Sequence, residues 1–195
     1  MGPLNPLFLD FPQQFETDRL LIRLPLPGDG EAVYDAIRAS KSELKPWLPF
    51  AQKERTLEDV ELDLREAHIN FLKREDLRFL LFRKDTSRLV GVSGLHRIDW
   101  DVRKFEIGYW VDTRQSGQGY ISEAVAGITQ FAFDQLRARR VEIRCDRINQ
   151  RSRAIPEKEG FMLEGILRND DTAAFDPREM RDTCVYAKIS KEVEA

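Results

Sequence analysis

Residues 104–136 read KFEIGYWVDTRQSGQGYISEAVAGITQFAFDQL, and the order of patterns within them decides the fold. Phe105, Ile107 and Tyr109 alternate with Glu106, Gly108 and Trp110, the two-residue period of a strand, so the second set shares one face. From residue 122 onward Ala124, Val125, Ile128, Phe131, Ala132 and Leu136 recur at helical spacing, which predicts a core helix. Between strand and helix lie Gly117 and Gly119. Two glycines two apart permit a tight turn whose consecutive N–H groups point into one concavity, and the helix opening near Ile121 adds its positive dipole end. That is an anion cradle, able to hold a pyrophosphate on backbone donors without a lysine.

Two familiar phosphate loops do not fit. A P-loop ends in GK[ST], whereas Gly119 is followed by Tyr120 and Ile121. A dinucleotide fingerprint needs an opening parallel strand, whereas antiparallel strands are predicted here over 77–83, 89–98 and 104–111, joined as a meander. After the helix, Val141, Ile143 and Cys145 alternate with Glu142 and Arg144, a strand parallel to 104–111 if the crossover has the usual βαβ form.

Working outward, residues 17–24 read as a half-buried strand with Leu20, Ile22 and Leu24 inside. Asp29 is the expected N-cap of a short helix burying Ala32, Val33, Ala36 and Ile37. Thr56 and Asp59 mark a capped helix that ends near Arg74, with apolar positions Leu57, Val60, Leu64, Ala67, Phe71 and Leu72. A short helix before Gly160 and closing strands near 161–167 and 183–189 complete an α+β fold: a mixed, largely antiparallel sheet flanked by helices on both faces. Residues 1–195 read as one domain. The first fifteen residues, proline-rich and without helical period, read as a loose arm or one laid over the surface.

With 42% hydrophobic and 33% charged residues the chain is of the ordinary globular class, and its net charge of -3 offers no basic field for a nucleic acid. Cys145, Cys184, His68 and His96 form no close-spaced ligand set, so neither a metal site nor a disulfide framework is expected, and the thiols read as buried small residues. No signal peptide or membrane span is recognised, and a cytoplasmic location follows by default.

The blocks TDRLLIR (17–23), FEIGYWV (105–111), Arg114-x-x-Gly117-x-Gly119 with YISEA, Asn149-x-x-Ser152 and Glu157-Lys158-x-Gly160-Phe161 together resemble the GCN5-related N-acetyltransferases, in the branch of the ribosomal-protein N-terminal acetyltransferases. The resemblance covers nearly the whole chain. It implies acetyl-CoA as co-substrate, with its pyrophosphate on the backbone of Gln115, Ser116, Gly117, Gln118, Gly119 and Tyr120. It implies a pantetheine arm along Trp110 and Val111, in a V-shaped gap between 104–111 and 141–145, and contacts from Asn149 and Ser152. By residue type alone, Asn149 and Ser152 read equally well as a turn and helix-cap pair.

Direct transfer needs a neutral amine, a polarised thioester and a proton for the leaving thiolate. Glu106, flanked by apolar residues on the strand and facing the same side as Trp110, is the candidate base. Its structural alternatives are a surface carboxylate on a solvent-facing strand, or a partner for Arg97 across the hairpin. Many family members place a tyrosine four residues after the NxxS serine, where this chain has Pro156; the proline removes a phenol and an N–H and is expected to delay the helix start by a turn. Ser152 is then the candidate proton donor. Trp47, in a loop stiffened by Pro46 and Pro49, with Phe50 and Tyr109 would wall an acceptor pocket. The reading is an enzyme acetylating a primary amine, in first place the N-terminal α-amine of a protein such as a ribosomal protein, with a homodimer as in that branch. The alternatives are a small-amine acetyltransferase, for polyamines or aminoglycosides, and a non-catalytic acetyl-CoA-binding module.

Overall fold

The computed structural model describes residues 5–190. In chain order the elements are β1 (Gln14–Glu16), β2 (Leu20–Arg23), α1 (Gly30–Ala39), α2 (Lys41–Leu44), α3 (Leu57–Lys73), β3 (Leu77–Arg83), β4 (Leu89–Asp99), β5 (Lys104–Val111), α4 (Tyr120–Leu136), β6 (Arg140–Asp146), α5 (Gln150–Lys158), β7 (Met162–Thr172) and β8 (Met180–Ile189). The strands form one eight-stranded sheet in the order β1-β2-β3-β4-β5-β6-β8-β7. The pairings are antiparallel except β5 with β6, across the α4 crossover.

Two apolar clusters hold helices to the two faces. Helix α4 buries Ala124, Val125, Ile128, Phe131, Ala132 and Leu136, the positions its spacing predicted, against Leu20, Ile22, Phe79 and Leu81. Each fully buried large side chain contributes roughly 1.5–3 kcal/mol, so a charge at Ile128, fully buried, would break this layer. On the other face Val33, Ala36 and Ile37 of α1 and Val60 and Leu64 of α3 meet Leu80 and Val92. Ala32, Leu57 and Leu72, expected inside, are exposed, because each stripe is narrower than the apolar run in the sequence.

Helix α3 begins with a reciprocal capping box: Thr56 Oγ1 accepts from Asp59 N at 3.1 Å, and the Asp59 carboxylate accepts from Thr56 N at 2.8 Å. Asp29, by contrast, does not cap α1. Its carboxylate is taken by the Arg23 guanidinium, two bonds of 2.7 Å, and by Leu26 N. Glu61 reaches over from α3 to accept from Gly28 N and Gly30 N.

The N-terminal segment is less loose than its composition implied. Residues 14–16 pair with β2, and Phe11 packs edge-on against Phe71 and Phe131. The Arg74 guanidinium lies 4.1 Å from the Phe11 ring centre and donates to Leu9 O. Residues 1–4 lie outside the described residues. The closing strands β7 and β8 are longer than predicted, since polar residues carry the hairpin on to Thr172 and Met180.

One feature of the sheet positions the site. Strands β5 and β6 pair at Lys104–Arg140, Phe105–Val141 and Glu106–Glu142 and then part. β5 stays with β4 as far as Gly91–Val111, while β6 follows β8 to Asp146–Thr183. The close run to β4 explains Gly91, where a Cβ would lie 2.2 Å from Trp110 O.

Candidate active site

The turn after β5 is fixed from below. Asp112 is buried, and its carboxylate accepts from Arg114 N and from the Arg114 guanidinium, which also reaches Asp35. Thr113 N donates to the buried Ser40 hydroxyl at 2.8 Å. Arg114 is thereby consumed in building the loop and does not face a ligand. Gly117 and Gly119 have φ of +76° and +80°, the left-handed region that glycine enters without a Cβ clash. The amides of Gln115 and Ser116 are spent inside the turn, on Asp112 O and Thr113 O. The amides that the turn leaves unspent therefore begin at Gly117, two residues after the start of the stretch read from the sequence, and run into the first turn of α4, which starts at Tyr120. Those donors, the α4 dipole and the absence of a side chain at both glycines suit the diphosphate of acetyl-CoA.

The gap between β5 and β6 opens into a cleft of about 420 Å³. Of the residues singled out in the sequence, Trp47, Tyr109, Trp110, Val111, Gln115, Ser116, Gly117, Gly119, Tyr120, Asn149 and Ser152 line it. Phe50 stands behind the wall, its ring centre 6.0 Å from that of Trp110. Gln118 is exposed, and its carbonyl accepts from Arg19. The Tyr120 side chain is buried beneath Arg19, whose guanidinium lies 4.4 Å from the ring centre.

Glu106 is also outside the lining. It occupies the last residue pair before the strands part, with Gly108, which does line the cleft, two residues along the same face. Burial holds its carboxyl above the usual carboxylate range; Arg97, Arg144 and His96 act against this, and Glu142 adds to it. Arg97 Nη1 is 3.5 Å from its carboxylate, the cross-hairpin pair considered as its structural role. His96, its direct partner across β4 and β5, is held by Asp76 at 2.5 Å.

At the open end of the gap stands α5. Pro156 does not delay its start: the helix opens at Gln150, capped by Asn149, whose side chain accepts from Ser152 N at 3.1 Å. Asn149 is thus the cap, and Ser152 lies within the first turn. Tyr109 reaches from β5 to donate to Ser152 O at 2.8 Å, and the Ser152 hydroxyl donates to Tyr109 Oη at 3.3 Å. Cys145 and Cys184 are free, buried neighbours across β6 and β8, and burial pushes the Cys145 thiol up to about 12.

The cleft lining also includes residues that the sequence reading did not single out: Glu43 from α2, Arg144 and Asp146 from β6, Arg151 from α5 and Arg181 from β8. The strand alternation that places Arg144 opposite the buried Ile143 and Cys145 was legible; which sheet face stays uncovered was not. Among the described residues no cluster of metal-ligand type occurs, and no helix is long and apolar enough to cross a membrane.

A crossover helix started by a glycine cradle, beside two strands that part around a cleft, defines an acyl-CoA-dependent transferase, and the chain belongs to the GNAT acetyltransferases: the family model described as acetyltransferase (GNAT) domain matches residues 19–162. As a member it is an enzyme that carries an acetyl group from acetyl-CoA to an amine. It is similar to the Bacillus subtilis (strain 168) protein named "Putative ribosomal N-acetyltransferase YdaF", with 34% identity over 159 residues, 78% of this chain and 83% of the relative. It is similar also to the ribosomal-protein-serine acetyltransferase of Escherichia coli (strain K12), 29% identical over 157 residues, 80% of this chain and 85% of the relative. The solved structure of RimL, a ribosomal L7/L12 α-N-protein acetyltransferase in complex with coenzyme A, matches with a TM-score of 0.80 over 89% of this chain and 95% of that one; at 24% identity it shows the same fold.

Proposed function

We propose that the acceptor is the N-terminal α-amine of a protein, with ribosomal proteins as the class, acetylated in the cytoplasm. The names of the two relatives support the class. The observation that carries the acceptor is the mixed charge of the cleft lining, to which Arg144, Arg151 and Arg181 contribute together with Glu43 and Asp146. Arg144 and Arg181 are each anchored by an aspartate of β7, Asp170 and Asp171, at 2.7 Å. A wall of mixed charge suits an acceptor that brings carbonyl oxygens as well as an amine, as a polypeptide main chain does. A polyamine brings donors and positive charge alone, which calls for a wall of acids.

In this reading the amine nitrogen attacks the thioester carbon, the C–S bond breaks, and the amine's proton passes through water to Glu106. The departing thiolate takes its proton from the Ser152 hydroxyl, which turns from Tyr109 Oη toward the sulfur and is reprotonated by water as the proton leaves. An α-amine, with a pKa of about 7.7–8.0 against about 10.4 for lysine, needs little help to be neutral, so a carboxylate acting through water suffices. The phosphates lie on the amides from Gly117 onward and the pantetheine arm along Trp110 and Val111.

The test is thiol release from acetyl-CoA with a panel of acceptors: peptides with a free N-terminal serine or alanine, the same peptides blocked at the N-terminus but carrying lysine, spermidine, and an aminoglycoside. Turnover with the free-N-terminus peptides and none with the blocked ones is expected. Preference for spermidine or the aminoglycoside would overturn the reading in favour of a small-amine enzyme.

A further inference from the structure

Pro156 lies inside α5, where it supplies no main-chain N–H to the carbonyl four residues earlier, that of Ser152, and its ring crowds that oxygen. Pro156 is buried, so water is a poor substitute. The hydrogen bond is supplied from another element: Tyr109 of β5 brings its hydroxyl to 2.8 Å from Ser152 O. The same phenol oxygen accepts from the Ser152 hydroxyl at 3.3 Å, so both polar ends of one residue are tied to one ring. Burial, ahead of any other influence, raises the Tyr109 phenol well above the usual tyrosine range, and it remains a neutral donor. On the flank about 100° around the helix α5 is also held, where Tyr186 of β8 accepts from Arg153 Nε at 3.0 Å and donates to Glu157 at 2.6 Å.

We propose that Tyr109 is a positioning residue which replaces the amide that Pro156 lacks and so fixes Ser152 at the lip of the cleft, where its hydroxyl serves the departing thiolate. This rests on the reading of Ser152 as proton donor. It makes Tyr109 and Pro156 a matched pair: the enzyme needs the phenol because it has the proline. An alanine at 156 would restore the helical N–H to Ser152 O, and the phenol would become dispensable.

The test is a double-mutant cycle of Tyr109→Phe and Pro156→Ala, with Ser152→Ala as reference, reading kcat at saturating acetyl-CoA with a free-N-terminus peptide, and acetyl-CoA affinity by calorimetry. Leaving this half-buried acceptor without the phenol, and so releasing Ser152, predicts that Tyr109→Phe lowers kcat about tenfold or more, as Ser152→Ala does, with coenzyme affinity within about threefold. In the Pro156→Ala background, Tyr109→Phe is expected to cost less than about threefold. An equal loss in both backgrounds, or wild-type kcat in Tyr109→Phe while Ser152→Ala is slow, overturns the positioning role alone. Wild-type kcat in Ser152→Ala overturns the proton-donor reading and the inference with it. If Tyr109→Phe does not fold, recovery of folding and turnover by Pro156→Ala supports the pairing, and failure of both proteins to fold refutes it.

Discussion

Glu106→Gln is the substitution that tests the chemistry most directly. The Glu106 side chain is 18% exposed, and its carboxyl is raised first by burial, with Arg97, Arg144 and His96 opposing and Glu142 reinforcing. A base must be deprotonated to act, so the rate is lost as pH falls through that raised pKa, and the enzyme's acid limb lies above the ordinary carboxylate value of 4.5. Glutamine keeps the shape and removes the base; the expected loss in kcat exceeds tenfold, about 1.4 kcal/mol of barrier, and the acid limb keeps the titration of the peptide amine but loses that of Glu106. Acetyl-CoA affinity should hold, because the carboxylate lies outside the cleft lining. Arg97→Ala gives a graded check. Its guanidinium is 3.5 Å from the carboxylate but 67% exposed, so the pair is weak, and its loss moves the acid limb upward in pH by a small step. The assay is the initial rate of thiol release across about pH 5 to 9 with a free-N-terminus peptide, whose own titration near ~8 is common to all variants. Turnover of Glu106→Gln within twofold of wild type, or a downward shift in Arg97→Ala, would refute the reasoning.

Gly117→Ala and Gly119→Ala force a Cβ into the left-handed region at a cost of about 1–2 kcal/mol, and calorimetry should show acetyl-CoA binding weakened about tenfold with each. Thr56→Ala removes half of a capping box remote from the cleft; the expected loss of about 1 kcal/mol lowers Tm by about 2–4 °C in thermal denaturation with kcat unchanged. Ile128→Ala should cost about 2–5 kcal/mol, read as a fall in the denaturant midpoint. Cys145 and Cys184 should be inert to a thiol reagent at neutral pH and react on unfolding, since burial keeps both protonated.

The elements whose hydrophobic period was complete within themselves were legible in advance: α4 with its buried stripe, α3 with its capping box, the meander β3 to β5, and the parallel strand β6. What escaped depends on partners distant in sequence. Asp29 looks like a cap until Arg23 claims its carboxylate and Glu61 takes over the capping. Residues 14–16 become a strand because β2 offers an edge. Pro156 was expected to push the helix start along; Asn149 holds the start, and the missing bond is made by a ring from β5. The cradle was visible as a glycine pair, but which amides it leaves available depends on a short turn that consumes those of Gln115 and Ser116. The charged part of the cleft lining, with Arg144, Arg151 and Arg181, comes from three separate elements, and local patterning has no means of bringing them together.

Three residue pairs join β5 to β6, and the ladders on either side are longer. The sheet is therefore two rafts, β1 to β5 and β6 to β8, lashed at one corner and bridged by the α4 crossover. A long flexible molecule laid in the open angle bears on both rafts at once and acts as a second lashing. Occupancy of the cleft should thus be felt along the whole seam, slowing amide hydrogen exchange at 107–111 and 143–146 together rather than at the cradle alone.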